Sequence, residues 1–269
     1  MRRYKLAPLC AVLLLAVLGS GCTAFTKLKA RDQLNKGVQS YRNGKFQEAI
    51  EHFKSSVQLD PSLVNARLYL ATAYAQMYIP GGDTAENIKI GEQAIAAFED
   101  VLKLDEKNTT ALASIGQIYY NMKNFDKAKD FQRQRMQFEP NNPEPYYWIG
   151  VIDWAQAFQA DGKIRKDLNL LMPDAHGNLK PLPEKYRAQL EEQNSKLVDE
   201  GIDALKKALD MKPNDMNSMA YLGLLYRQKA DLDKAGDDRE SDLKTANDWQ
   251  QKAMDLRKSE PATPSSQGS

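Results

Sequence analysis

The sequence predicts an all-α chain built from about five consecutive helical hairpins. Apolar residues recur at helical spacing along nearly the whole chain after residue 30, and turn residues interrupt them at intervals. Small residues also return at a fixed period. The stretch Ala30–Leu63 shows the unit. Leu34, Gly37, Val38 and Tyr41 form one helical stripe, and Asn43-Gly44 breaks it. Phe46, Ala49, Ile50, Phe53 and Val57 form a second stripe that Asp60-Pro61 stops. Such a hairpin exposes apolar residues on more than one side, so it requires neighbours of its own kind.

The chain opens on a basic segment, MRRYK, followed by the apolar run Leu6–Leu18 and the small residues Gly19, Ser20 and Gly21. This is the pattern of a secretory signal, and the run falls short of the roughly 20 residues of a membrane-spanning helix. LGSGC resembles a bacterial lipoprotein lipobox with Cys22 as the acylated residue, although Gly19 stands where that family usually has an apolar residue. The alternatives are a retained signal anchor and cleavage without lipid. Cys10 lies inside the signal, which leaves Cys22 as the mature chain's one thiol. The resemblance implies a signal over 1–21 and a tether over 22–29. Because two or more acyl chains anchor stably where one does not, it also implies lasting membrane attachment. With Thr23 and no Asp after the cysteine, it points to the bacterial cell envelope, at the periplasmic face of the outer membrane.

The repeat region spans 30–258. The small residues of the first helix of each hairpin fall at positions 37, 71, 116, 150 and 223, in steps of 34, 45, 34 and 73. Two steps equal the period of about 34 residues, and the other two exceed it through insertions between the two helices of a hairpin. The copies run about 30–63, 64–108, 109–142, 143–215 and 216–258. Gly37, Ala49, Phe53 and Pro61 in the first copy, and Leu112, Gly116, Tyr119, Ala128 and Pro140 in the third, resemble the tetratricopeptide (TPR) repeat. This family implies a right-handed solenoid of helix A–helix B pairs. In the second copy Pro80, Gly81 and Gly82 make the insertion a loop, with Asp83 or Thr84 able to cap helix B. In the third, Gln132 and Arg135 stand in the usual aromatic and small places. The fourth holds the long insertion, 156–192, with a turn-rich loop; Pro183 starts a helix that reads as continuous over Glu184–Met211. The last residues, 259–269, have the composition of a disordered tail.

Lys plus Arg number 37 against 36 for Asp plus Glu, a balance that gives nucleic acid no basic face to grip. No phosphate loop, metal-ligand pair or nucleophile–base set is found, so neither an enzyme nor a cofactor or small-molecule substrate is expected. Acidic pairs on the helices read as solvated faces. His176 reads as a solvated loop residue and His52, off the apolar stripe, as a surface one. What remains is a protein or peptide partner. By the TPR resemblance the A helices line a concave groove, through Leu34, Asn35, Val38, Tyr41 and Arg42 in the first copy. Leu68, Tyr69 and Thr72 follow, then Ala113, Ser114, Gln117 and Tyr120. The fourth copy supplies Tyr147, Trp148, Val151 and Trp154, and the fifth Ala220, Tyr221, Leu224 and Arg227. Trp148 and Trp154 have a second reading, as packing for the long insertion. The Lys and Asn that chaperone-binding relatives use are replaced by Leu34 and Val38, which disfavours an acidic chaperone tail. The function expected is a membrane-anchored interaction scaffold. Its alternatives are an accessory of outer-membrane protein assembly or type IV pilus biogenesis, and an envelope hydrolase or peptidoglycan-modifying accessory working through the 156–192 insertion.

Overall fold

The computed structural model describes residues 7–172, 179–234 and 236–259, and of 7–22 the backbone alone. The Cys22 side chain, His176 and the tail beyond Ser259 therefore lie outside the described residues. These fold as α1 (Ala7–Arg42), α2 (Phe46–Leu59), α3 (Val64–Met77), α4 (Ala85–Leu102) and α5 (Thr109–Asn121). They continue as α6 (Phe125–Phe138), α7 (Pro143–Asp167), α8 (Glu184–Met211), α9 (Met216–Leu232) and α10 (Asp237–Ser259). No helix of the described residues is long and apolar enough to cross a membrane. Two compact units divide the chain, one through Met122 and one from Lys123.

In the first unit consecutive helices pack as neighbours. Gly44, at φ 73°, makes the turn between α1 and α2 at the Asn-Gly pair. Ala49, Ile50, Phe53 and Ala73 form a core against which Leu34, Val38, Tyr41 and Leu70 rest. A methyl group at Gly37 would overlap the Phe53 ring, so the absence of a side chain there is what brings the two helices together. The fully buried Ser56 hydroxyl donates to the Ala30 carbonyl at 2.7 Å and ties the same pair. In the second hairpin Thr84 caps α4, its hydroxyl accepting from the Asn87 amide at 3.2 Å. The buried Asn87 side chain clamps the preceding loop. It donates to the carbonyls of Ile79 and Gly82 and accepts from the Ile79 amide.

Residues 23–29, within the stretch 22–29 read as a tether, form an exposed part of α1. Nothing between Thr23 and Arg42 breaks a helix except Gly37, and Ala24, Lys27, Leu28, Lys29 and Ala30 are strong helix formers. Propensity therefore carries the helix past the point where the repeat begins.

The second unit gathers α6 to α10. α7 runs about three turns beyond the length of α3 and α5, to Asp167, and α8 starts directly after Pro183, as the proline predicts. Its core joins Leu190, Val198, Leu205, Leu222 and Leu225, all fully buried. Gly150 lies so close to Leu205 that a methyl group would overlap that side chain, while Gly223 lets the α10 backbone approach. Gly150→Leu is expected to destabilise this unit by about 1–3 kcal/mol or more through overpacking. An unchanged denaturant midpoint, followed by tryptophan fluorescence, would remove this contact from the account of the fold.

Candidate partner-binding surface

The expected groove residues separate by unit. In the first unit Leu34, Val38 and Tyr41 are half-buried on the α1–α2 core, and Tyr41 meets Phe46 edge-on at 5.3 Å. Asn35 and Arg42 are exposed, while Leu68 is half-buried. Thr72 spends its hydroxyl on the Leu68 carbonyl at 2.8 Å. Tyr69 is 39% exposed and stacks on Phe53 with ring centroids 5.5 Å apart. Gln117 donates to Asn121 at 3.4 Å, and Tyr120 is half-buried on the same helix. Leu34 and Val38 thus act mainly as hairpin packing, with little surface left for a partner. His52, expected at the surface, is also half-buried, with Nδ1 2.8 Å from the Gln33 side-chain oxygen.

In the second unit the expected residues form a continuous aromatic cluster. Tyr147 on α7 meets Tyr221 on α9 edge-on at 5.8 Å, and Trp154 meets the same Tyr221 at 5.3 Å. Trp154 also stacks on Phe158, one turn further along α7, at 5.2 Å and 23°. Trp148 touches Tyr147 at 5.7 Å and is half-buried. Leu224 is 36% exposed, and Arg227 donates to Asn247 and Gln250 at 2.7 and 3.0 Å. Val151 does not belong to this surface. It is 2% exposed, within the consecutive buried stretch Ile149–Asp153 of α7. Aromatic pairs of this kind add about 0.5–1.5 kcal/mol beyond their buried area and hold the ring faces rigid.

Behind the cluster lies a group of buried charges that the sequence reading assigned to solvated faces. Arg165 is fully buried; its Nε donates to both carboxylate oxygens of Asp161 at 2.8 Å, and its Nη1 donates to the Lys180 carbonyl at 2.7 Å. Its Nη2 forms an ion pair with Asp231 at 3.0 Å, and Arg239 reaches the other oxygen of Asp231 at 3.4 Å. Arg239 also donates to the Leu179 carbonyl at 2.8 Å. Two arginines from α7 and α10 therefore hold the returning end of the long insertion by its backbone. Burial pushes the Asp161 carboxyl up, and that of Asp231 up to about 6 despite its arginine neighbours.

A second charged group joins α6, α7 and α8. Lys129 donates to Asp153 at 2.7 Å and to Glu200 at 3.2 Å, and Arg133 donates to Glu200 at 2.6 Å. Asp153 is fully buried with one carboxylate oxygen unpartnered, and burial raises it to about 7. On α6 the unusual Gln132 and Arg135 are buried as a pair, Arg135 donating to Gln132 at 3.1 Å and to Glu144 at 2.9 Å. Nowhere among the described residues do three His, Cys, Asp or Glu side chains gather as metal ligands would.

Residues 109–142 match the family model for the tetratricopeptide repeat, a window that coincides with the third copy. The helix pairs supply the rest of the argument. The chain folds as a tetratricopeptide-repeat protein. Among solved structures it is similar to MamA 41-end from Desulfovibrio magneticus RS-1, with a TM-score of 0.58, 19% identity, and coverage of 87% of this chain and 98% of that one. It is also similar to YrrB, described as a TPR protein with an unusual peptide-binding site, at TM-score 0.51 and 13% identity over 84% and 90%. Hsp70-Hsp90 organizing protein 3 of Arabidopsis thaliana is 26% identical over 115 residues, which are 43% of this chain and 19% of that protein. The chain spans under a fifth of that relative's length. Subunit CDC16 of the anaphase-promoting complex of Saccharomyces cerevisiae is 24% identical over 212 residues, 77% of this chain and 24% of that protein.

Proposed function

We propose that this TPR protein is an interaction scaffold of the bacterial cell envelope, held at the membrane by acylated Cys22 and binding a partner segment on its second unit. The observation that carries the binding half is the aromatic row Tyr147, Tyr221 and Trp154, half-exposed on two A helices and packed against the core of the second unit. Rigid aromatic side chains supply large contact area at low entropic cost, which is how interface anchors are built. Support also comes from relatives that work on other proteins, such as the organizing protein named for Hsp70 and Hsp90. The membrane half rests on the signal pattern and the LGSGC sequence. Scaffolding, without catalysis, is the role this reading assigns.

Each half has its own measurement. Truncating Tyr147, Trp148 and Tyr221 to Ala is expected to abolish partner crosslinking in the native envelope, since loss of two or three anchors of about 2 kcal/mol each removes most of a micromolar affinity. Partners retained at wild-type yield would refute the surface. Radiolabelled palmitate is expected to enter the wild type and not Cys22→Ser, and equal labelling would refute the anchor.

A further inference from the structure

Beside the aromatic row the second unit holds a cavity of about 130 Å³. Trp154, Phe158, Leu224 and Leu243 supply most of its apolar lining, and Arg227, Gln228 and Asp231 its polar part. Leu179, from the returning end of the insertion, closes one side, and its carbonyl is pinned by Arg239. Phe158 is 49% exposed and Leu224 36%, so the rim presents apolar surface to solvent. Phe158, Leu179 and Leu243 all lie outside the A-helix positions of the repeat pattern. The site is therefore a product of this chain's own extension and insertion.

Size and charge decide what fits. A dry cavity of about 150 Å³ lined by leucine and phenylalanine takes one benzene-sized group, whereas drug-sized ligands fill about 300 Å³ or more. In the lining, Asp231 has one oxygen paired to Arg165 and the other to Arg239. A cationic guest would find that carboxylate already paired and would meet Arg227 in the lining. An anionic guest would face the Asp231 carboxylate and lose hydration, while the Arg227 guanidinium in the lining already donates to Asn247 and Gln250. We infer that this cavity receives one uncharged apolar side chain, leucine- to phenylalanine-sized, from the partner segment. The inference rests on the partner-binding reading of the second unit and names the anchor residue class that it selects.

Three tryptophans occur in the chain, so the full chain labelled with 5-fluorotryptophan gives three resonances, each assigned by a Trp→Phe variant. Titration with N-acetyl-leucinamide or N-acetyl-phenylalaninamide is expected to move the Trp154 resonance saturably and to leave that of Trp249 in place. N-acetyl-lysinamide and N-acetyl-glutamate amide are expected to need about tenfold more, because each would bury a charge. Leu243→Phe fills the chamber and is expected to abolish the response; Leu224→Ser, at the exposed rim, is expected to weaken it while the other two resonances stay at wild-type positions. No saturable shift, equal response to charged probes, or an undiminished response in Leu243→Phe would overturn the assignment. Probe binding with unaltered crosslinking in the Tyr147, Trp148 and Tyr221 variant would instead refute the aromatic surface and leave the cavity standing.

Discussion

Replacing Arg165 by alanine is expected to lower the stability of the second unit by about 3–5 kcal/mol, the cost of breaking a buried charge pair. Arg165 is fully buried and meets Asp161, Asp231 and the Lys180 carbonyl. Its loss leaves two carboxylates inside with Arg239 still 3.4 Å from Asp231, and it frees the insertion's backbone from α7. Arg165→Lys is expected to recover little, because an ammonium cannot span the carboxylate fork of Asp161 and reach the carbonyl together. By contrast, replacing Arg165, Asp161 and Asp231 together by Met, Leu and Leu removes both signs of charge, and is expected to be far milder than the single change. All three tryptophans, Trp148, Trp154 and Trp249, lie in the second unit, so urea unfolding followed by their fluorescence reads this unit alone. A loss under about 1 kcal/mol for Arg165→Ala would mean that the cluster is solvated and not structural.

That cluster also marks where the sequence stopped being readable. Turns and helix starts are encoded locally: Gly44 needs a left-handed backbone, Thr84 offers a capping oxygen, and Pro183 suits the start of a helix. Small residues are nearly as plain, since Gly37 and Gly150 occupy repeat positions where a side chain would strike Phe53 or Leu205. The burial of Asp153 and Asp231 depends on partners far away in the chain, Lys129 lying 24 positions from Asp153 and Arg165 66 from Asp231. One signal was available. Ala157, Asp161 and Arg165 follow each other at i, i+4 and i+8 on the buried face of α7, and charge on an apolar stripe points to a buried pair. For the candidate surface, repeat positions located the aromatic row but misplaced Val151, which lies in a stretch of α7 buried from Ile149 to Asp153. The cavity was not legible at all, as Phe158, Leu179 and Leu243 come from three segments with no shared spacing.

The second large effect is a pH dependence with an unusual sign. Most paired carboxylates have depressed pKa values and lose stability on acidification. Asp153 is raised from 3.8 to about 7, because complete burial outweighs its bond to Lys129 and because Glu200 adds a second negative charge nearby. Arg133 and Lys129, from α6, oppose that shift without cancelling it. The folded state therefore holds a proton that the unfolded chain has already released at pH 5 to 6. Its contribution is fully present below pH 3.8 and is lost as pH rises through about 7. Asp231, raised to about 6, acts in the same direction, whereas Glu200 and Asp215 are lowered and act at more acid pH. The second unit is accordingly expected to lose about 1 kcal/mol per pH unit between pH 5 and 6.5 from Asp153. Asp153→Asn keeps the side-chain volume and an acceptor for Lys129 but cannot titrate, so it is expected to flatten this part of the profile. Urea midpoints at half-unit steps of pH decide the matter. A wild-type stability that rises from pH 5 to 7, or a slope unchanged by Asp153→Asn, would place the proton elsewhere.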